Sequence, residues 1–304
     1  MNYEKAEMQK SVRLPVRVDG VNVYNGNLNH AWFHPAKDNT GIVFSYAGRE
    51  INADLDHAIF SRMAVALKKG SLEVRLVEHL LSAVYSLGID NVIIDLSDGV
   101  CPTTNNCGKE YFDALHNNIA YGTAKKKFFE VSVAPEYPIT HPKFNPDLIS
   151  VTQAKGFQIS YVSHHPANGA EMRRYSMEIN GENYSKGIMT ARPPAPFRND
   201  LIKNIVLFLG KVGLHGLTEQ NYFFTSINNP KKEIQDGYLG YSDNFVRHKT
   251  VDALGTMALI GRHFKNTKFS FNMTGHKFDI WALRELREKG IFKEHSGPAT
   301  PYYP

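Results

Sequence analysis

Three short runs, far apart in the chain, carry residue types that could assemble a hydrolytic metal centre. They are Val77-Glu78-His79-Leu80, Phe245-Val246-Arg247-His248-Lys249-Thr250-Val251-Asp252-Ala253-Leu254-Gly255, and Thr274-Gly275-His276. His248 and Asp252 are four residues apart, a spacing that on a helix stacks two side chains one turn apart on one face. An imidazole nitrogen and a carboxylate oxygen converging there could fill two of the four positions around a zinc ion. His79 would supply a third and water the fourth, the open arrangement of a catalytic rather than a structural site. Taken singly, each piece has a plainer explanation. His248 and Asp252 could form an intrahelical ion pair worth about 0.3 kcal/mol. A Glu-His pair is common on helix surfaces, and a histidine after a glycine suits a strand–helix turn.

Hydrophobic periodicity indicates the elements that must carry these side chains. Helical spacing over residues 73–87 and 244–260 places Glu78, His79, His248, Lys249 and Asp252 on helices, and His276 directly precedes a final helix over 277–289. The chain begins with strands over 12–18 and 21–24 around a turn at Asp19-Gly20, and residues 28–46 add two more. The β-branched run over 92–96 reads as a buried strand, and 111–119 as a helix. Residues 122–127 are polar and lead into a fresh strand, which sets a boundary between domains 1–124 and 125–304. The second half has strands to about residue 180, helical segments over 203–211 and 244–260, and a strand over 268–272. Strands followed by helices, twice over, predict an α+β fold of two similar domains, each a β-sheet layered with helices, with the site between them. An apolar insert near 197–217 suits either an acyl channel or an ordinary core helix. The proline-containing tail from Ser296 reads as extended or disordered.

At 304 residues, with 42% hydrophobic and 21% charged, the chain has enough apolar material for two ordinary cores. A net charge of +5 and a pI near 9.0 are mildly basic. The lysines and arginines are scattered, so no nucleic-acid stripe stands out. Such an excess fits an anionic small substrate as well as a plain solvated surface. Two cysteines, Cys101 and Cys107, form no disulfide framework and no Cys-rich zinc site. The first residues lack the apolar core of a secretory signal, and no run approaches the ~20 apolar residues of a membrane span. A cytoplasmic location without stable membrane insertion is the expectation.

The runs Leu76-Val77-Glu78-His79-Leu80-Leu81-Ser82-Ala83, Leu87-Gly88-Ile89-Asp90-Asn91, Phe245–Lys249 and Asp252–Gly255 resemble the UDP-3-O-acyl-N-acetylglucosamine deacetylases of lipid A synthesis. His34-Pro35-Ala36, Asn39-Thr40-Gly41, His165-Pro166-Ala167 and Thr274-Gly275-His276 extend the resemblance, in the family's order, from about residue 10 to 290. The resemblance implies a two-domain fold with zinc between the halves and an N-acetylated sugar nucleotide as the small-molecule substrate. It implies His79, His248 and Asp252 as metal ligands, Glu78 as general base, His276 as general acid and Lys249 as a charge near the reacting amide. Iron(II) suits the same donors.

Several positions depart from that family. The carboxylate expected four residues after the ligand aspartate is Thr256, so His276 loses a charged partner, for which Asp279 could substitute. An Arg-Thr-Phe run reads Arg192-Pro193-Pro194, with Thr190 the nearest hydroxyl. Thr104-Asn105-Asn106-Cys107-Gly108 stands for Met-Asp-Gly-Ser-Ala, and Asn22-Val23-Tyr24-Asn25-Gly26 for Gly-Leu-His-Thr-Gly. A Gly-Gly-Ser run is absent, with residues 216–220 in its place. Retained ligand types in changed surroundings point to a working hydrolase of altered specificity, against an ordinary family member with tolerated substitutions, and the N-acetylated sugar nucleotide stays the expected substrate. The alternatives are deacylation of a different small-molecule amide and a metal-containing binding protein, which would need neither acid nor base.

Overall fold

A computed structural model describes residues 8–103, 105–131, 136–164, 172–198, 200–212, 218, 220–226 and 243–296. The first half runs β1 (Met8–Val12), β2 (Val16–Val21), β3 (Leu28–Pro35), β4 (Ile42–Tyr46) and β5 (Arg49–Asn52). An insert of β6 (Ala58–Ser61), β7 (Ala64–Lys69) and β8 (Leu72–Arg75) follows, then α1 (Glu78–Ser86), β9 (Val92–Leu96), α2 (Lys109–Leu115) and β10 (Ile119–Lys125). The second half runs β11 (Lys127–Val131), β12 (Tyr137–Thr140), β13 (Leu148–Gln153), β14 (Phe157–His164), β15 (Met172–Glu178) and α3 (Gly181–Gly187). Next come β16 (Pro194–Phe197), α4 (Asp200–Val212) and β17 (Phe223–Ser226). The chain continues through α5 (Asn244–Ala258), β18 (His263–Phe264), β19 (Thr267–Asn272), α6 (His276–Glu288) and β20 (Phe292–Ser296).

The two halves share one plan, as expected of an α+β fold with two similar domains. The main sheets are ordered β2-β3-β9-β4-β5 and β12-β13-β19-β14-β15. In each, every neighbour pairs antiparallel except one: β4 against β9 and β14 against β19. The central strand is the last of its sheet in sequence. A helix, α1 or α5, comes shortly before it. Alternate residues of β3 and β19 are buried, the period-two pattern of a sheet with one face on a core.

Helices α1 and α5 pack together at the centre. Every residue of α1 is buried, and so are twelve of α5, from Asn244 to Ala258. They come into backbone contact at Gly255, where an added Cβ would stand 2.0 Å from the Glu78 carbonyl oxygen. Only glycine allows the backbones so near. The far end of α1 is held by two ammonium groups: Lys10 Nζ donates to Leu87 O (3.1 Å) and Lys126 Nζ to Gly88 O (2.6 Å). Lys126 is itself paired with Asp90 at 2.9 Å and is buried, which pulls its pKa down to about 8 despite that partner. Cations at this end oppose the negative pole of the helix.

Several expectations change. Asp19-Gly20 is no turn: both residues lie inside β2, and the chain reverses after Val21. Gly20 is small because a Cβ there would press on the Thr103 backbone at 2.8 Å. The helical spacing over 73–87 spans two elements. Leu72–Arg75 is strand β8, and Leu76, at φ 61°, turns the chain into α1. Helix α2 ends at Leu115 rather than reaching 119, and Ile119 begins β10, which pairs with β1. Helix α4 is not an ordinary core helix, since Leu201 (70% exposed) and Phe208 (62%) face outward with Ile202, Ile205 and Leu209. His165-Pro166-Ala167, Thr104, residues 213–217 and the tail beyond Ser296 lie outside the described residues. No described helix is long and apolar enough to cross a membrane.

Candidate functional site

The glycine-mediated crossing of α1 and α5 brings the first turn of one helix against the middle of the other. Glu78 and His79 open α1, while His248, Lys249 and Asp252 share a face of α5. The start of α5 is pinned by Asn244, whose amide donates to Arg192 O (2.9 Å) and whose Oδ1 accepts from Arg192 N (3.2 Å). His276 arrives separately at the first position of α6, after Gly275 in extended conformation.

Three buried ligand atoms converge. His79 Nε2 lies 3.1 Å from His248 Nε2, and Asp252 Oδ1 lies 3.4 Å from the first and 3.5 Å from the second. A tetrahedral ion with bonds of about 2.0–2.1 Å needs ligand atoms about 3.3–3.4 Å apart. The donors thus fit a zinc-sized cation. Asp252 Oδ1 is buried with no hydrogen-bond partner among the described residues, although two imidazoles face it. Such an orphaned acceptor suits a cation. Burial pulls the His248 pKa down to about 3. Burial acts the same way on His79, but the Asp252 carboxylate 3.4 Å away and the charge of Glu78 outweigh it and leave the pKa raised. Metal binding requires the remaining proton to leave.

Around this triangle stand the other groups singled out in the sequence. Glu78 is buried, with Oε2 accepting from Val65 N at 3.1 Å. Burial, reinforced by the Asp252 charge, pushes its pKa up to about 7. Burial raises the cost of the charged form of Asp252, yet His248, Lys249 and His276 hold its pKa well below the carboxylate range. Lys249 Nζ donates to Asp252 Oδ2 at 3.0 Å; burial opposes its charge, but Asp252 wins and its pKa is raised. His276 Nε2 stands 4.0 Å from Glu78 Oε1 and 3.8 Å from Asp252 Oδ2, and burial pulls its pKa down to about 4. All six side chains border one cleft of about 450 Å³.

The family departures also acquire positions. Thr256 Oγ1 donates to the Asp252 carbonyl at 2.9 Å, so its hydroxyl is spent within α5. Among the described residues, Nδ1 of His276 is buried without a hydrogen-bond partner, and so are both carboxyl oxygens of Asp279. Asp279 does not bond the ring in place of the missing carboxylate. Pro193 and Pro194 border the cleft; Thr190 does not. Asn105 is turned to Glu110. Tyr24 forms part of the cleft wall, donates to Arg62 O at 3.3 Å and lies under the Arg62 and Arg75 guanidiniums.

Sequence reasoning missed the β6–β7 hairpin, which places Phe60, Arg62 and Met63 at the cleft. The short apolar run from Ala64 to Leu67, buried throughout and ended by Lys68-Lys69, was its available signal. Tyr222 and Phe144 add apolar wall and carried no signal of their own, whereas Phe245 opens one of the runs singled out in the sequence.

The UDP-3-O-acyl N-acetylglycosamine deacetylase family matches residues 9–288 of this chain. Among curated relatives, a protein of Thermodesulfovibrio yellowstonii named UDP-3-O-acyl-N-acetylglucosamine deacetylase is 27% identical over 293 residues, covering 94% of both chains. Proteins of the same name from Chlamydia abortus and Coxiella burnetii are 29% and 28% identical. They cover 92% and 91% of this chain, and 97% and 89% of their own.

Proposed function

Because the chain belongs to the UDP-3-O-acyl N-acetylglycosamine deacetylase family, we propose that it is a zinc-dependent amide hydrolase that removes the N-acetyl group of an amino-sugar nucleotide such as UDP-3-O-acyl-N-acetylglucosamine. The observation that carries this is the ligand triangle of His79, His248 and Asp252 with a buried carboxyl, Glu78, at its side.

An amide is a poor electrophile and its amine a poor leaving group. When bound at His79, His248 and Asp252, a zinc ion polarises the carbonyl and lowers the pKa of water; iron(II) suits the same donors. Glu78 accepts the proton of the attacking water at Oε1, while Val65 N–H holds Oε2 in place. A carboxyl with a pKa of about 7 is well matched to proton exchange near neutrality. His276, with its Nε2 4.0 Å from Glu78 Oε1, stands on the same side of the triangle and passes a proton to the departing nitrogen as general acid. Lys249, fixed as a cation by Asp252, supplies positive charge for the developing oxyanion. The domains of this reading are 1–124 and 125–304. It is supported by β10 folding back on β1, while β11 pairs with β18 and β20 of the second half.

Tyr24 in the cleft wall and the hydroxyl of Thr256 turned away from His276 favour a second reading, in which the same centre deacylates a different small-molecule amide. One experiment separates the two. Zinc is quantified per chain and amine release followed over a panel of N-acetyl substrates, with Glu78→Ala as control. Release from the sugar nucleotide supports the first reading and release only from another amide the second. One bound metal without release from any substrate would leave a binding protein.

A further inference from the structure

We propose that Phe60 is a positioning residue for His276, and that the cross-strand pair Phe60–Val65 couples the general base and the general acid through one rigid hairpin. This rests on the hydrolase reading above. Phe60 and Val65 are direct partners in the β6–β7 register. Val65 belongs to the base: its N–H donates to Glu78 Oε2 at 3.1 Å, and its carbonyl accepts from Val77 N at 3.2 Å, just before α1 begins. Phe60 belongs to the acid: its ring is stacked on His276 with centroids 6.3 Å apart and planes at 28°. Aromatic pairs at this separation and offset attract beyond their burial.

The hairpin is anchored on both sides of that pair. From α6, Arg284 Nε donates to Leu55 O at 2.8 Å and Nη2 to Ala58 O at 2.5 Å, which ties the entry of β6 to the helix that His276 opens. At the tip, Arg62 and Met63 both take positive φ, 49° and 68°, in the two-residue turn between β6 and β7. Neither is glycine or asparagine, the residues such a turn favours. The tip is held by Tyr24, whose hydroxyl donates to Arg62 O and whose ring lies under the Arg62 guanidinium at 5.7 Å. His276 needs such support. Its Nδ1 is buried without a hydrogen-bond partner among the described residues, so no bond at that nitrogen sets the ring's rotation. The face of Phe60 is the contact that does. Phe60 is 44% exposed, so its removal leaves the core intact.

The test uses zinc-loaded full-length protein and the substrate that the wild type turns over. Phe60→Ala should lower kcat about tenfold, equivalent to about 1.4 kcal/mol, while KM, zinc content and Tm stay near wild type. Phe60→Tyr, which keeps the ring, should restore kcat to within about twofold. In parallel, the His276 ring protons, assigned by NMR through His276→Gln, should move on Phe60→Ala as the ring current disappears. An unchanged kcat with Phe60→Ala, a change confined to KM, or no rescue by Phe60→Tyr would each overturn the positioning role while wild-type turnover still stood. A wild type inactive on every amide would instead remove the hydrolase reading, and this role with it.

Discussion

The two halves share a five-stranded sheet down to the position of its one parallel pair, yet they contribute unlike chemistry. The first half presents the end of a helix: Glu78 and His79 sit in the first turn of α1. The second presents the flank of a helix, with His248, Lys249 and Asp252 along α5, and adds His276 at the head of α6. The inserts differ as well. Before its helix, the first half carries the β6–β8 sheet, which buttresses the site. The second carries α4, whose apolar face is exposed. Repetition supplied the frame, and the departures from repetition supplied the function. Neither half holds all three of the proposed ligands, His79, His248 and Asp252.

That division is most easily broken at the ligands. His79→Ala in the first half and Asp252→Ala in the second should each abolish metal binding and lower kcat/KM by about 10³-fold or more, since the charge stabilisation a bound metal supplies is worth several kcal/mol. Metal analysis of both variants checks this, and full occupancy in either would show that one half binds alone. Next in size is the seam. Gly255→Ala puts a methyl group on the Glu78 backbone and should cost about 1–3 kcal/mol of stability together with metal affinity. Gly275→Ala, with nothing within 4 Å, should stay within about 0.5 kcal/mol. Denaturant melts of both with zinc titration measure the contrast.

A smaller, pH-dependent effect belongs to the second half alone. Burial pushes the Asp279 carboxyl up to about 7, against the pull of Lys249. Its folded pKa thus exceeds its unfolded value, so its contribution is present below pH ~4 and lost as pH rises through about 7. Asp279→Asn removes that loss. The Tm difference, variant minus wild type, should grow from pH 5 to pH 8 by a few degrees, on the order expected for 1–2 kcal/mol. A flat difference would show that Asp279 is not titrating in this range. Smallest of all, Phe208→Ser on α4 should change stability by no more than about 0.5 kcal/mol, whereas Leu254→Ala on buried α5 should cost about 2–5 kcal/mol.

The six side chains singled out in the sequence border one cleft because their helices were legible from local spacing: His248 and Asp252 from i, i+4, and the ends of α5 and α6 to within two residues. What lay hidden depended on contacts far along the chain. Asp19-Gly20 has the composition of a turn, but its glycine answers to the backbone of Thr103. The apolar rhythm through 73–87 ran unbroken across Leu76, whose positive φ separates strand from helix. The β6–β7 hairpin escaped notice because Arg62-Met63 lacks the glycine or asparagine that usually marks such a turn. The distance between His79 and Asp252 was legible only by family resemblance, since local spacing says nothing about residues that meet through a fold.

The two lysines at the far end of α1 have a mechanical meaning for the centre. A helix advances 1.5 Å per residue, so a slip of one position would carry His79 past any bonding range, and Gly88 lies about 13 Å down the same axis. Lys10 and Lys126, arriving from opposite sides of the inter-half junction, act as a backstop against that slide. The accuracy with which an ion could be gripped at one tip of the rod is thus calibrated by two ammonium groups at the other.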